Sequence, residues 1–174
     1  MIKMTTTIPN LIFQEETNEC GLACVAMLAQ TQGQPVSLAT LREWFPASDH
    51  GTSLDTLMSI LARLGIATTP VLFEHDELSD LPLPAILHYG ASHYVLLAWR
   101  KGNHVCVMNP AIGEQWLPFA ALKQEISGYA LIVEPEQAVA ADPDLPLSTT
   151  AQSAPRAMSM QETAAVPGIY RLML

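Results

Sequence analysis

Along the first half of the chain, apolar residues recur three and four positions apart, the spacing of one face of an α-helix. Ser, Thr or Asn precedes each of these segments, as N-cap residues do, and Pro46 and Gly65 follow two of them. We therefore predict three helices: Cys20 to Gln30 capped by Thr17 or Asn18, Ser37 to Phe45, and Ser53 to Leu64.

From residue 66 onward the apolar residues form short runs separated by Gly, Pro and Asn, which is typical of strands and turns. Helices first and an antiparallel sheet afterwards predict an α+β domain. The segment Lys101-Gly102-Asn103 is typical of a tight hairpin connection. The predicted strands are Ile66–Phe73, Ala85–Tyr89, Tyr94–Arg100, Val105–Met108, Gln115–Leu117 and Tyr129–Val133, with a short helix at Phe119–Glu125.

Composition separates a folded part from a tail. Of the 174 residues, 49% are hydrophobic and 14% are charged, which fits one globular domain. Residues 136–174 are rich in Ala, Pro, Ser and Thr and have little to bury, so we predict a flexible tail whose last residues, 169–174, dock weakly at most. The predicted domain is 11–135, after an N-terminal extension at 1–10.

The net charge of −9 argues against nucleic acid or an anionic membrane surface as a partner. No apolar run is long enough to span a bilayer. The first residues also lack the long apolar core and the cleavage site of a signal peptide. We therefore expect a cytoplasmic protein without a membrane span.

The three cysteines, Cys20, Cys24 and Cys106, predict neither a disulfide framework nor a metal site, and we expect no cofactor. Cys20 begins the first predicted helix, where unpaired backbone N–H groups and the helix dipole stabilise a thiolate and lower its pKa. Cys24 is predicted to be a buried neighbour. A redox pair of Cys20 and Cys24 is a third hypothesis that their spacing disfavours, because thiol exchange proteins use Cys-x-x-Cys.

Among the five histidines, His93 is the one whose position a buried strand would fix, because it opens an apolar segment. His50, His75 and His104 lie in polar turns, where we expect them to be solvated. A hairpin folded about Gly102 places His93 opposite residue 111 and near Asn109. The side-chain oxygen of Asn109 can then accept the imidazole Nδ1–H and hold the ring.

Two residues near Cys20 complete the candidate chemistry. Gln14 offers a side-chain amide that can share an oxyanion hole with the backbone N–H of Cys20. Gly21 lets a substrate carbonyl approach the backbone closely.

Three segments in this order resemble the peptidase C39 family: QEETNECGLACVAM from Gln14 to Met27, HYVLL from His93, and NPAIG from Asn109. The similarity covers about residues 11–135 and includes GTSL at 51–54 and GYAL at 128–131. Family members are N-terminal peptidase domains of bacteriocin-exporting, colicin V-type ABC transporters. The resemblance implies a papain-like cysteine peptidase fold, with N-terminal helices packed on an antiparallel sheet.

The resemblance also implies roles and partners. Cys20 would be the nucleophile, His93 the base and Gln14 part of the oxyanion hole. Cleavage would follow a Gly-Gly or Gly-Ala pair that ends the leader of a precursor peptide. The site of action would be the cytoplasmic face of the bacterial inner membrane, and the partner the membrane and ATPase component of an ABC transporter.

Two features depart from the family pattern. Asn109 stands where the family usually has Asp, and a neutral amide stabilises an imidazolium less, so slower chemistry is expected rather than none. Related chains usually continue into a transmembrane domain and an ATPase. This sequence has no Gly-x-x-x-x-Gly-Lys phosphate loop, so it is expected to bind no ATP by that motif. A stand-alone peptidase, a piece cut from a longer transporter and a truncated gene product remain open.

The main alternative is a binding module that has lost activity and only docks the export substrate. The presence of Gln14, Cys20 and His93 favours the enzyme, whereas Asn109 favours the alternative. In either case a leader is expected to bind as an amphipathic helix in an apolar groove. Candidate groove residues are Trp44, Phe45 and the helix 54–64, most of which we expect to be ordinary core residues.

Overall fold

The computed structural model describes residues 6–138, 156–158 and 170–171. Its helices are α1 (Cys20–Thr31), α2 (Leu38–Trp44), α3 (Leu54–Arg63), a 3₁₀ helix (His75–Asp80) and α4 (Phe119–Leu122). Its strands are β1 (Thr6–Ile8), β2 (Ile66–Leu72), β3 (Ala85–Tyr89), β4 (His93–Lys101), β5 (His104–Asn109), β6 (Gly113–Pro118), β7 (Ile126–Ala138), β8 (Arg156–Met158) and β9 (Tyr170–Arg171).

The described strands form two antiparallel sheets. The larger sheet has the order β6-β5-β4-β3-β7-β2-β9, and β1 pairs with β8 in the smaller one. The predicted α+β class is confirmed, with α1, α2 and α3 preceding the main sheet along the chain. The 3₁₀ helix and the strands β1, β8 and β9 were not predicted, and α4 ends at Leu122 rather than at Glu125.

Two apolar cores lie on opposite faces of the main sheet, because neighbouring residues of a strand point to opposite faces. In β4, Leu96 packs with the helices α1, α2 and α3, whereas Leu97 packs with the 3₁₀ helix and α4. The strand is therefore buried on both faces, which gives the residues at its end a fixed position.

Helix α1 is the centre of the helical layer. Residues 20–29 are all buried, so this helix is apolar around its whole circumference, as expected for a central helix. Its N-cap is Glu19, which makes no side-chain capping bond, and the predicted caps Thr17 and Asn18 are wrong. The predicted caps of the other two helices are confirmed, because Ser37 and Ser53 each accept the N–H three residues on.

The β4–β5 hairpin turns at Gly102 and Asn103, as predicted. Lys101 pairs with His104 at the tip, whereas Leu96 pairs with Met108 deeper in the sheet, because a bulge lies between Leu97 and Trp99. Continued to the end of β4, this second register places His93 opposite residue 111. The predicted neighbourhood of His93 and Asn109 is therefore present.

The outer segments of the chain are described only in part. Ile8, which falls in the predicted N-terminal extension, is 1% exposed and lies in the core beneath the helices. The predicted flexible tail at 136–174 lies mostly outside the described residues. Within it the structure describes the end of β7 together with β8, which pairs with β1, and β9, which pairs with β2 at Val71 and Leu72.

Candidate active site

Cys20 is the first residue of α1 and is 5% exposed. This position follows from the local sequence: the apolar residues that bury α1 begin immediately after it. The unpaired N–H groups of the first turn and the positive end of the helix dipole lie beside its sulfur. The backbone N–H of Tyr94, at the start of the adjacent strand β4, also hydrogen-bonds the Cys20 sulfur.

His93 and Asn109 meet across the β4–β5 hairpin. His93 is the first residue of β4 and Asn109 the last of β5, and Nε2 of His93 lies 2.8 Å from Oδ1 of Asn109. The sequence predicted this contact through Nδ1, which is wrong. Because Nε2 faces Asn109, Nδ1 is the ring nitrogen that remains for the hydrogen bond between His93 and Cys20.

The pKa values of the cysteine and the histidine move in opposite directions. Burial raises the pKa of Cys20, but hydrogen bonds from His93 and from backbone N–H groups outweigh it, so the net pKa is lowered. The hydrogen bond to Cys20 raises the pKa of His93. Burial acts against this increase, and the hydrogen bond to Asn109 adds to it. Both shifts favour a thiolate–imidazolium pair, which is the form that a cysteine nucleophile requires.

Gln14 is joined to this group mainly through its backbone. Its N–H donates to the carbonyl oxygen of Pro110 at 3.0 Å, which places it beside Asn109. Its side-chain Nε2 donates to Glu16 O at 3.1 Å and Thr17 O at 3.4 Å, within its own loop. Its Oε1 is buried without a hydrogen-bond partner in the part of the chain that the structure describes.

Gly21 packs tightly between two elements. A Cβ at this position would lie 2.9 Å from Cδ2 of Leu57 in α3 and 3.5 Å from the ring of Tyr94. The missing side chain therefore permits close packing of α1 against α3 and β4. The structure thus gives Gly21 a packing reason, and its role in substrate approach stays a prediction.

A cavity of about 1000 Å³ opens beside Cys20. Its wall consists of Thr17, Asn18, the loop 45–53, Thr56 and Ile60 of α3, and His88, Ser92 and Tyr94. Of the candidate groove residues, Phe45 and Ile60 line this cavity, whereas Leu57 and Leu61 are fully buried in the core, as expected for most of them.

Two aromatic residues of the cavity were not singled out in the sequence as site residues. The rings of His88 and Tyr94 meet edge to face with their centroids 5.3 Å apart. Burial lowers the pKa of His88, and burial raises the pKa of Tyr94 to about 12, with the Cys20 charge adding to it. Both shifts favour the neutral form of the side chain, whereas the pKa of His93 is shifted toward its charged form.

The predicted exposure of three histidines and the predicted burial of Cys24 are confirmed. His50, His75 and His104 are exposed. Cys24 is fully buried, and burial raises its pKa well above the ordinary value, which makes it unreactive beside Cys20. Within the described ranges, His, Cys, Asp and Glu side chains form no group of three that could hold a metal ion.

The chain is similar in sequence to known secretion and processing proteins. Over 125 residues the chain is 38% identical to two Escherichia coli ATP-binding proteins, one named for secretion and processing of microcin H47 and one for colicin V. The alignments cover 72% of this chain and 18% of each relative, so the chain spans less than a fifth of their length.

The fold also matches solved structures. A double glycine motif protease from an AMS/PCAT transporter, crystallised with the leader peptide, superposes with a TM-score of 0.69. It is 25% identical in sequence, and the match covers 75% of this chain and 94% of that chain. The papain-like fold predicted from the sequence is thereby confirmed.

None of the described helices has the length and the apolar character that a membrane span requires. The peptidase C39 family model matches residues 9–138, which contain Cys20, His93 and Asn109. Since that match extends over most of the sequence, the chain belongs to the peptidase C39 family.

Proposed function

We propose that this chain is a cysteine endopeptidase that removes a double-glycine-type leader from a precursor peptide. The observation that carries the proposal is the arrangement of Cys20 at the start of α1 with His93, whose ring nitrogen Nε2 lies 2.8 Å from Oδ1 of Asn109. The interaction of Cys20 with His93 lowers the pKa of the thiol and raises the pKa of the imidazole, which agrees with this arrangement. The relatives named for bacteriocin processing, and the similar protease crystallised with a leader peptide, supply the substrate class.

In the proposed reaction the Cys20 thiolate attacks the carbonyl carbon of the residue before the scissile bond. The His93 imidazolium then donates its proton to the leaving amine, and the resulting thioester is hydrolysed by water that His93 deprotonates. The first product is the mature peptide, and the second is the free leader.

Asn109 is proposed to orient His93 through its side-chain oxygen. The N–H of Ala111 donates to the same Oδ1 at 3.0 Å, which keeps the oxygen rather than the NH₂ group turned toward the ring. A neutral amide fixes the ring by geometry and gives the imidazolium less electrostatic support than a carboxylate.

Gln14 is proposed to complete the oxyanion hole with the backbone N–H of Cys20. Its Nε2 makes a shorter contact to Glu16 O and a longer one, 3.4 Å, to Thr17 O. In the proposed transition state the N–H now directed at Thr17 turns to the developing oxyanion, because a charged acceptor forms the stronger bond.

The peptidase unit of this proposal is the predicted domain 11–135, and the cavity beside Cys20 receives the peptide. Because the curated relatives are much longer ATP-binding transport proteins, the proposed partner is the membrane and ATPase component of an ABC transporter. The proposed location is the cytoplasmic face of the bacterial inner membrane.

A second candidate function is that of a docking domain that holds the leader without cutting it. Asn109, in place of the usual acid, is the residue that favours it. Both functions require leader binding, and only the first requires a reactive Cys20.

The proposal is tested by incubating the purified chain with a synthetic leader peptide that contains a Gly-Gly junction, followed by mass spectrometry. We expect one cut after the second glycine, no cut with Cys20→Ala, and no cut in a peptide whose two glycines are replaced by valine. An intact peptide that still binds the wild-type chain would instead support the docking domain.

A further inference from the structure

A buried carboxylate precedes the proposed nucleophile and has no role in the chemistry described above. Glu19 is 2% exposed, although it is adjacent to Cys20 in sequence. One of its oxygens, Oε2, accepts the backbone N–H of Glu15 at 3.1 Å and that of Glu16 at 3.0 Å. The side chain thus reaches back over the loop that leads to the nucleophile.

Arg42 of α2 keeps this carboxylate charged. Its Nε donates to Oε1 of Glu19, and its Nη2 lies 3.2 Å from Oε2. The hydrogen bond from Arg42 lowers the pKa of Glu19 against the opposing effect of burial. An ionised carboxylate accepts several strong hydrogen bonds at once, whereas a neutral amide in the same place would turn N–H groups toward Arg42.

The two N–H groups held by Glu19 directly follow Gln14 in the chain. The carbonyl of Glu16 in turn accepts the side-chain N–H of Gln14, and the N–H of Gln14 donates to Pro110 O. Gln14 is therefore held on one side by the loop beside Asn109 and on the other by a loop whose conformation Glu19 fixes. A change at Glu19 releases two backbone donors and loosens the carbonyl against which the Gln14 amide rests.

We propose that Glu19 is a positioning residue that acts through Gln14. Its carboxylate sets the backbone of Glu15 and Glu16 so that the Gln14 amide reaches the oxyanion hole, and Arg42 holds the carboxylate in place. This inference rests on the proposed peptidase function. It concerns the stabilisation of the oxyanion and leaves the thiolate of Cys20 unaffected.

The first test compares Glu19→Gln with Glu15→Gln, measuring leader cleavage and the rate of Cys20 alkylation by iodoacetamide. Glu15 is the matched control because it is exposed and its side chain also binds Arg42, at 2.6 Å, while its backbone N–H remains in the variant. We expect Glu19→Gln to lower kcat by up to about 100-fold, comparable with the loss of an oxyanion-hole donor, with little change in KM or alkylation. Glu15→Gln should stay close to wild type.

A double variant identifies the route of the effect. If Glu19 acts through Gln14, Gln14→Ala combined with Glu19→Gln should be scarcely slower than Gln14→Ala alone, because residues that act as a unit have non-additive losses. The proposal would be overturned if the losses of the two single variants multiply in the double variant, or if kcat is unchanged in Glu19→Gln. It would also be overturned if the rate of Cys20 alkylation falls as much as kcat. If Glu19→Gln does not fold, as judged by circular dichroism, Arg42→Lys takes its place, because Lys lacks the planar fork that binds both oxygens.

Amide hydrogen exchange separates this inference from the proposed function. In the full chain, exchange at the N–H groups of Glu15 and Glu16 should accelerate at least about tenfold in Glu19→Gln, as expected for the loss of a bond to a charged acceptor, and not in Glu15→Gln. Unchanged exchange would overturn the inference whether or not the wild-type chain cuts a leader. A wild-type chain that cuts no leader would overturn the proposed function.

Discussion

At the scale of single residues, the candidate site depends on which atom each polar side chain presents to its neighbour. Asn109 presents Oδ1 to Nε2 of His93, and the N–H of Ala111 holds that orientation. The other ring nitrogen, Nδ1, then remains for Cys20. The sulfur of Cys20 also accepts a hydrogen bond from the backbone N–H of Tyr94. The contact to Asn109 favours the imidazolium of His93, and the contact to Tyr94 favours the thiolate of Cys20. The pH dependence of activity therefore reports on these two contacts.

The Asn109 variants should shift the alkaline limb of the pH profile in opposite directions. Cleavage rises with pH as Cys20, whose pKa is lowered, loses its proton, and falls as His93, whose pKa is raised, loses its own. In Asn109→Asp the added carboxylate raises the pKa of His93 further, so the falling limb moves to higher pH and activity is kept or increased.

Asn109→Ala should move the same limb to lower pH and reduce kcat/KM by about 10- to 100-fold, as expected for one lost hydrogen bond to a charged group. The measurement is kcat/KM for a leader peptide between pH 5 and pH 10. A marked loss of activity in Asn109→Asp would contradict the role given to Asn109.

Removal of the proposed nucleophile or of the proposed base should have similar effects on cleavage. Cys20→Ala is expected to abolish cleavage while leader binding, measured by isothermal titration calorimetry, stays intact. His93→Ala should nearly match it, with a loss of roughly 10⁴-fold or more, since the pair acts as a unit. Cys24→Ala is the control: it removes the neighbouring buried thiol and should leave cleavage measurable.

Gly21→Ala tests the packing reason given to this glycine. The added methyl group would meet Leu57, which is fully buried, at 2.9 Å, so we expect a loss of about 1–3 kcal/mol in the free energy of unfolding by urea. In a Leu57→Ala background the same change should cost less or stabilise the chain. Equal costs in both backgrounds would show that Leu57 is not the cause.

At the scale of elements, the N-terminus of α3 both begins a helix and lines the cavity beside Cys20. The hydroxyl of Ser53 accepts the N–H of Thr56 at 3.2 Å, and both residues line the cavity beside Cys20. A frayed first turn would therefore change the wall of the cavity as well as the stability of the helix.

Ser53→Ala should lower the free energy of unfolding by about 1 kcal/mol, the usual effect of losing an N-cap. Ser59→Ala is the matched control in the same helix, because Ser59 is exposed and its hydroxyl only returns to the Asp55 carbonyl. That variant should be neutral or slightly stabilising, since Ala has the higher helix propensity. Urea denaturation of both variants makes the comparison, and equal losses would contradict the capping role.

Features set by neighbouring residues could be predicted from the sequence. The caps of α2 and α3 and the turn at Gly102 depend on residues within a few positions, so their side-chain chemistry is visible in the sequence. The start of α1 at Cys20 is as predicted, and only its N-cap was predicted wrongly. Glu19 stands at that position and binds backbone N–H groups of the preceding loop and a residue of α2. Long-range partners of this kind leave no local pattern.

The candidate site shows the same division. The contact between His93 and Asn109 could be predicted because the register of a hairpin can be counted from its turn. The count assumes a register centred on Gly102, and the bulge after Leu97 gives that register at the end of β4. The nitrogen that faces Asn109 depends on the rotation of the imidazole ring. The direction of the Gln14 side-chain amide depends on the carbonyl oxygens of Glu16 and Thr17, and neither rotation has a signal in sequence spacing.

At the scale of the whole molecule, the site lies where the helical layer meets the sheet. Helix α1 brings Cys20, the β4–β5 hairpin brings His93 and Asn109, and the loop 45–53 closes the cavity from the side of α2 and α3. These segments are far apart in sequence, and the two apolar cores, one on each face of the sheet, hold them in fixed relative positions. We propose that this junction aligns the carbonyl that ends a leader with Cys20, one of the three cysteines.

Covalent trapping tests that claim most directly. The full chain is treated with a leader peptide that ends in Gly-Gly chloromethyl ketone, beside a scrambled leader with the same reactive end, and the modified residue is located by peptide mass spectrometry. We expect a stable thioether on Cys20 alone, formed much faster with the true leader than with the scrambled one and lost in His93→Ala. Modification of Cys24 or Cys106, or equal rates for the two leaders, would contradict it.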